Sequence, residues 1–178
     1  MNRHSAREHK NRKDLIGEHR FGDMGQLILF FIFATVWIGD SFFFKYSTFI
    51  AAYIPWYIRI PLVIILMFIS GYLAQTGLKI VFGEVRPEPV VIDKGVFQIV
   101  RHPIYLGAIL CYLATVLITL SLVSALVLCI IIIFYHFLAR FEERLLIDKF
   151  GESYEEYMER VPMWFPKIRK RNKKTIIP

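Results

Sequence analysis

Two short stretches hold, among others, six side chains of the kinds that carry charge, pass protons and orient anions. Residues 100–107 read "VRHPIYLG" and supply Arg101, His102 and Tyr105; residues 140–146 read "RFEERLL" and supply Arg140, Glu142 and Glu143. Both stretches border long apolar runs. Polar groups there either end a membrane span or form the wall of a site, and at membrane depth they are costly enough to serve a partner or a pathway. Each residue taken singly has a plain structural reading. Arginines at span ends snorkel to phosphates, and a glutamate pair leaving a helix commonly faces solvent. His136 reads as a hydrogen-bonded core histidine, and Asp40 as a span-end residue.

The elements that would position these groups are helices. Of the 178 residues, 56% are hydrophobic, above the roughly 45–50% of a soluble domain. The excess lies in four runs, residues 26–44, 58–82, 104–120 and 122–141. A hydrocarbon core of about 30 Å needs roughly 20 apolar residues in a helix. The expectation is an all-α, polytopic membrane protein with about four transmembrane helices. The last two runs are separated only around Ser121 and must turn back on each other as a tight antiparallel hairpin, because backbone in lipid stays hydrogen-bonded within helices. That hairpin would bring Arg101, His102 and Tyr105 within reach of Arg140, Glu142 and Glu143.

The net charge of +7 comes mostly from the two ends, "NRHSAREHKNRK" and "KIRKRNKK". Beside membrane spans such clusters set topology and touch anionic lipid headgroups, and no nucleic-acid partner is expected. The amino terminus, the connector at residues 83–101 and the carboxy terminus hold most of the basic residues. Both termini are therefore expected to be cytoplasmic. Residues 45–57, with Tyr46, Tyr53, Trp56 and Tyr57, suit the membrane–water interface. The first run follows about twenty-five polar residues without a small-residue cleavage site and reads as a retained span. Cys111 and Cys129 sit inside apolar runs without metal or disulfide spacing, and no metal site is expected.

Pro87, Pro89 and Pro103 prevent the connector from being one helix. Past the fourth run, Glu142 to Phe150 should continue helically, Gly151 can cap that helix, and a short amphipathic helix follows near residues 153–160 before "VPMWFP" ends it. The expected parts are a basic cytoplasmic segment (1–25), the first two spans (26–82), a core of connector, hairpin and carboxy-terminal helices (83–166) and a basic tail (167–178).

The ordered set "VRHPIYLG", a hairpin of spans, then "EERLLIDKFGESYEEYMERVPMWFP" resembles the integral-membrane methyltransferases typified by isoprenylcysteine carboxyl methyltransferase and the phospholipid N-methyltransferases. The resemblance covers about residues 92–166. It implies S-adenosylmethionine as methyl donor at the cytoplasmic face and a lipophilic methyl acceptor. Carried over by position, Arg101, His102, Tyr105, Glu142 and Glu143 look like cofactor-pocket residues, with Arg140 and Glu143 as candidates for catalysis. A carboxylate acceptor would need orientation by a cation such as Arg140. An amine or thiol would need a base such as Glu143, Glu142 or His136. Arg140 stands closer to the glutamates than the family arginine is expected to, which puts its role in question. The acceptor and the oligomeric state are not legible. Two other readings compete: an NADPH-dependent membrane reductase of the sterol-reductase type, and a non-enzymatic membrane scaffold.

Overall fold

The structure is a computed structural model and describes residues 20–83 and 89–166. The basic tail at 167–178 and most of the amino-terminal basic segment lie outside the described residues. Five helices carry the fold: α1 (Arg20–Ile38), α2 (Trp56–Phe82), α3 (Pro103–Thr119), α4 (Leu122–Phe150) and α5 (Glu152–Arg160). Three segments, Gly22–Phe44, Trp56–Phe82 and Leu122–Phe150, are long and apolar enough to cross a membrane. The third apolar run yields a shorter helix of 17 residues, because Leu120 leaves helical geometry at φ +53° and ends α3. Among the described residues the count of long apolar helices is therefore three, and the broad reading of an all-α polytopic membrane protein holds. α2 starts at Trp56, so Pro61 falls in its second turn. The Tyr57 carbonyl consequently has no i+4 donor.

Small residues set how closely the helices approach. A Cβ on Gly107 of α3 would lie 3.0 Å from the Ser70 carbonyl oxygen and 3.3 Å from the Ala74 nitrogen of α2. The Ser70 hydroxyl donates to the Gly107 carbonyl at 2.7 Å. Lipid gives apolar side chains little reason to associate, so close backbone packing and interhelical hydrogen bonds hold such a seam. α1 meets α4 in the same way: a Cβ on Gly25 would lie 2.7 Å from the Phe134 ring.

The end of the bundle away from the two polar stretches is pinned by Asp40. After α1 the helix widens into a π turn (Gly39–Phe44), and Lys45 closes it at φ +52°. The buried Asp40 carboxylate accepts from the Ser47 amide at 3.0 Å and from the hydroxyls of Ser47 and Ser121. Ser121 is the N-cap of α4, its side chain accepting from the Ser124 amide. Asp40 thus fixes the turn between α3 and α4 and is more than a span end. Beyond that turn, α4 buries Ser124, Leu128, Ile131, Tyr135, Ala139 and Glu143. Their spacing of three and four makes one helical stripe, apolar through most of its length and ending in a carboxylate.

Candidate functional site

Glu143 is 2% exposed and is held from two sides. Arg101 Nε donates to Glu143 Oε1 at 2.7 Å, and His102 Nε2 lies 3.1 Å from the same oxygen. A second nitrogen of the Arg101 fork is also committed. Nη1 donates to the carbonyls of Met158 at 2.9 Å and Val161 at 3.0 Å. These carbonyls belong to the last turn and cap of α5, where helical carbonyls lack donors and a cation is favoured. One guanidinium therefore joins the start of α3, the end of α4 and the end of α5. The Arg101 amide adds a bond to the Pro162 carbonyl at 3.0 Å.

The local sequence explains this placement. Pro103 opens α3 at N1, where its missing N–H costs nothing, so Arg101 and His102 precede the helix in non-helical backbone. α4 runs unbroken through Glu142 and Glu143 to Phe150, as expected. Gly151, at φ +54°, turns the chain into α5. Tyr154, Tyr157 and Val161 then bury themselves against Val91, Leu146, Ile147 and Phe150. The Tyr157 hydroxyl donates to the Phe97 carbonyl at 2.7 Å, fastening the connector to α5. Burial, with the carboxylate of Glu143 near Tyr154 and despite the cation of Arg101, pushes both phenols above the ordinary tyrosine range. Both hold their protons.

A more open face lies on the other side of His102. Tyr105 donates its hydroxyl to Glu142 Oε1, and its ring lies parallel to that of His102, with centroids 5.7 Å apart and planes 3° apart. Glu142 Oε2 stands 3.9 Å from His102 Nδ1, beyond a direct hydrogen bond. Trp164, from the chain that follows α5, covers this face at 5.9 Å from the His102 ring, and its indole N–H donates to His136 Nδ1 at 3.3 Å. Tyr135 lies beneath Tyr105 at 5.1 Å.

Five of the six sequence-predicted residues, Arg101, His102, Tyr105, Glu142 and Glu143, therefore form one connected cluster. The sixth, Arg140, is exposed and makes no hydrogen bond or ion pair with the described residues. His136 is exposed as well and is not a core histidine. Of the two aromatics in "VPMWFP", Trp164 reaches the cluster and Phe165 stays 81% exposed. The capping of α5 by Arg101 and the bond from Tyr157 to Phe97 were not read from sequence. Both use backbone carbonyls, which no residue type announces. Among the described residues no group of His, Cys, Asp and Glu could hold a metal ion.

Three long apolar helices with a buried polar cluster at one end define a polytopic membrane protein built around a helix-end site. The family model described as phospholipid methyltransferase matches residues 48–153, more than half of the chain, and the chain belongs to that family. It is 31% identical over 103 residues to protein-S-isoprenylcysteine O-methyltransferase of Schizosaccharomyces pombe, covering 56% of this chain and 44% of the relative. It is 31% identical over 114 residues to methanethiol S-methyltransferase of Pseudomonas deceptionensis, covering 61% of this chain and 42% of the relative. A methanethiol S-methyltransferase of Crocosphaera subtropica is 29% identical over 154 residues, covering 84% of this chain and 50% of the relative. The chain spans half the length or less of these curated relatives.

Proposed function

We propose that the chain is a membrane-embedded methyltransferase that uses S-adenosylmethionine and acts on a lipophilic acceptor. The observation that carries the reading is the cluster itself: in a chain of this family, His102, Tyr105 and Glu142 border an open face whose rear wall is the Arg101–Glu143 pair. The donor set suits the molecule. Glu142 Oε2 and His102 Nδ1, 3.9 Å apart and not bonded to each other, offer an acceptor for ammonium or ribose hydroxyl and a ring nitrogen for a polar partner. The rings of Tyr105 and Trp164 offer surfaces on which a purine stacks. When bound, S-adenosylmethionine would supply a methyl group made electrophilic by its sulfonium.

The chain's own groups divide the remaining work. Glu142 and His102 bind and orient the donor, Tyr105 holds the Glu142 carboxylate in place, and Trp164 excludes water from the face. Glu143 and Arg101 fix the wall so that donor and acceptor meet in one geometry, where most of the rate advantage of such a transfer arises. Arg140, one turn from the cluster, orients the acceptor.

The same reading extends to topology. α3, with 17 residues, spans about 25 Å and completes a fourth crossing with help from the turn at Leu120 and Ser121. Residues 83–166 form the catalytic core, 26–82 the first two spans, and the basic segments at 1–25 and 167–178 face anionic lipid from the cytoplasm, where both termini lie.

Titration of the detergent-purified protein with S-adenosylhomocysteine tests the reading, followed by transfer of labelled methyl from S-adenosylmethionine into extracted membranes. Saturable binding that is lost in Glu142→Ala, together with a labelled lipid product, is the expected result. Stabilisation by NADPH and not by S-adenosylhomocysteine would replace it with the reductase reading. No binding of either, with function surviving Glu142→Ala, would leave a scaffold.

A further inference from the structure

We infer that α1 supplies a second carboxylate to the open face: Asp23, together with Glu142, seats the ammonium group at the amino-acid end of the methyl donor. This inference rests on the methyltransferase reading. It adds a donor-binding residue from a helix that ends before residue 48, where the family match begins.

The packing of α1 on α4 brings Asp23 to the face. A Cβ on Gly22 would lie 3.0 Å from Leu138, and one on Gly25 would lie 2.7 Å from Phe134. Rising numbers on α1 meet falling numbers on α4, so the two helices run antiparallel. Side chains lean toward the amino terminus of their own helix. In an antiparallel pair, Asp23 and Glu142 therefore lean toward each other along the bundle. Glu142 stands about 6 Å beyond Leu138 along the axis, a gap that the two side chains narrow from both ends. The next turn of α1 is fastened to the same wall. The Tyr135 hydroxyl donates to Gln26 Oε1 at 3.5 Å, and the Tyr135 ring lies 5.1 Å from that of Tyr105. Asp23 precedes Gln26 by three residues, on the same flank of α1. It is close enough for its charge to act on both the Tyr105 hydroxyl and Glu142.

The charges around the face are unevenly matched. Glu143 has Arg101 and His102. Glu142 has a neutral phenol on Oε1, while its Oε2 has no bonded partner. Asp23 is exposed and makes no hydrogen bond or ion pair with the described residues. Two neighbouring carboxylates repel unless a cation joins them, and no lysine or arginine among the described residues pairs with either. They are too few to hold a metal ion. The methyl donor carries two positive groups, a sulfonium and an ammonium. The sulfonium loses its charge as the methyl leaves, so carboxylates placed on it would hold the ground state more tightly than the transition state. The ammonium keeps its charge throughout, and carboxylates placed there anchor the donor without opposing the transfer.

Titration calorimetry of the full chain in nanodiscs compares S-adenosylhomocysteine with its N-acetyl derivative, which lacks the ammonium. Asp23→Asn is expected to weaken S-adenosylhomocysteine binding about fivefold, the scale of one partly exposed ion pair. Its Tm should stay at the wild-type value, because Asp23 bonds to nothing in the described chain. The wild type should bind the N-acetyl compound more weakly than S-adenosylhomocysteine, and Asp23→Asn should narrow that difference. Asp23→Glu should keep most of the affinity. Asp23→Lys, whose own ammonium can take the seat, should lose more than Asp23→Asn. Unchanged S-adenosylhomocysteine affinity in Asp23→Asn and Asp23→Lys, or equal losses for both ligands, overturns the inference while leaving the methyltransferase reading intact. A fall in Tm with affinity unchanged also overturns it, and leaves Asp23 as a first-turn acid that stabilises the start of α1. Wild-type protein that binds no S-adenosylhomocysteine overturns the methyltransferase reading, and this inference with it.

Discussion

Arg101 and Glu143, 42 positions apart in the chain, meet at 2.7 Å with side chains 10% and 3% exposed. A pair so far from water is strongly destabilised when one partner is removed, because the other charge stays buried without compensation. Arg101→Ala should therefore cost about 3–5 kcal/mol, read as a fall in Tm in detergent. Arg101→Lys should recover little, since a compact ammonium cannot serve Glu143 and two carbonyls with the geometry of a fork. The Arg101→Ala/Glu143→Ala double variant should lose much less than the sum of the singles.

Tyr157→Phe removes the donor to the Phe97 carbonyl and should cost about 1–2 kcal/mol. It also has a signature in pH. The Tyr154 and Tyr157 phenols are raised in the folded chain, mainly by burial, while in the unfolded chain they titrate near pH 10. Above that pH the unfolded state binds fewer protons than the folded state, so stability falls as pH rises and is fully present below it. Tyr157→Phe should lower stability at neutral pH and flatten its decline above about pH 10, measured by thermal unfolding across pH.

The meeting of "RHPIY" with "EER" was legible because only two residues, Leu120 and Ser121, separate the two apolar helices. A chain reversed so sharply has one place to put the start of one helix, beside the end of the other. The length of α3 was not legible, since an apolar run does not say that Leu120 adopts φ +53°. The role of Asp40 was hidden for a related reason: its partners Ser47 and Ser121 come from two different turns. Trp164 stands in the quoted "VPMWFP", but its bond to His136 depends on how Arg101 anchors the end of α5. That anchoring passes through carbonyls that every residue carries.

The Asp40 pin predicts a defect in stability separate from the site. Asp40→Ala leaves the Ser47 amide and the Ser47 and Ser121 hydroxyls without their acceptor. Each unsatisfied buried donor costs about 1–3 kcal/mol, so Tm should drop clearly. The fraction that remains folded should bind S-adenosylhomocysteine with wild-type affinity.

Two glycines separate packing from helix propensity. Nothing lies within 4 Å of a Cβ built on Gly71, whereas one on Gly107 meets the α2 backbone at Ser70 and Ala74. Gly71→Ala should be neutral or stabilise by about 0.5–1 kcal/mol through the entropy that glycine loses in a helix. Gly107→Ala, with the same propensity gain, should destabilise because backbone atoms cannot yield as a flexible side chain would. Opposite shifts in Tm from one chemical change would locate the tight seam between α2 and α3.

Tyr105 and Glu142 give the sharpest test of how the open face is held. Tyr105→Phe keeps the ring that stacks on His102 and deletes only the hydroxyl that holds Glu142 Oε1. If Glu142 binds the donor molecule, this variant should weaken S-adenosylhomocysteine binding about three- to tenfold, the scale of one ordinary hydrogen bond, because the hydroxyl acts only through the carboxylate. Glu142→Gln keeps the shape and one acceptor but removes the charge that favours an ammonium, and should cost more than Tyr105→Phe. The double variant should be no worse than Glu142→Gln alone, because the tyrosine hydroxyl acts through the carboxylate. Titration calorimetry of the four proteins decides it. Additive losses would mean that the hydroxyl meets the ligand itself, and an unchanged Glu142→Gln would remove Glu142 from the binding face.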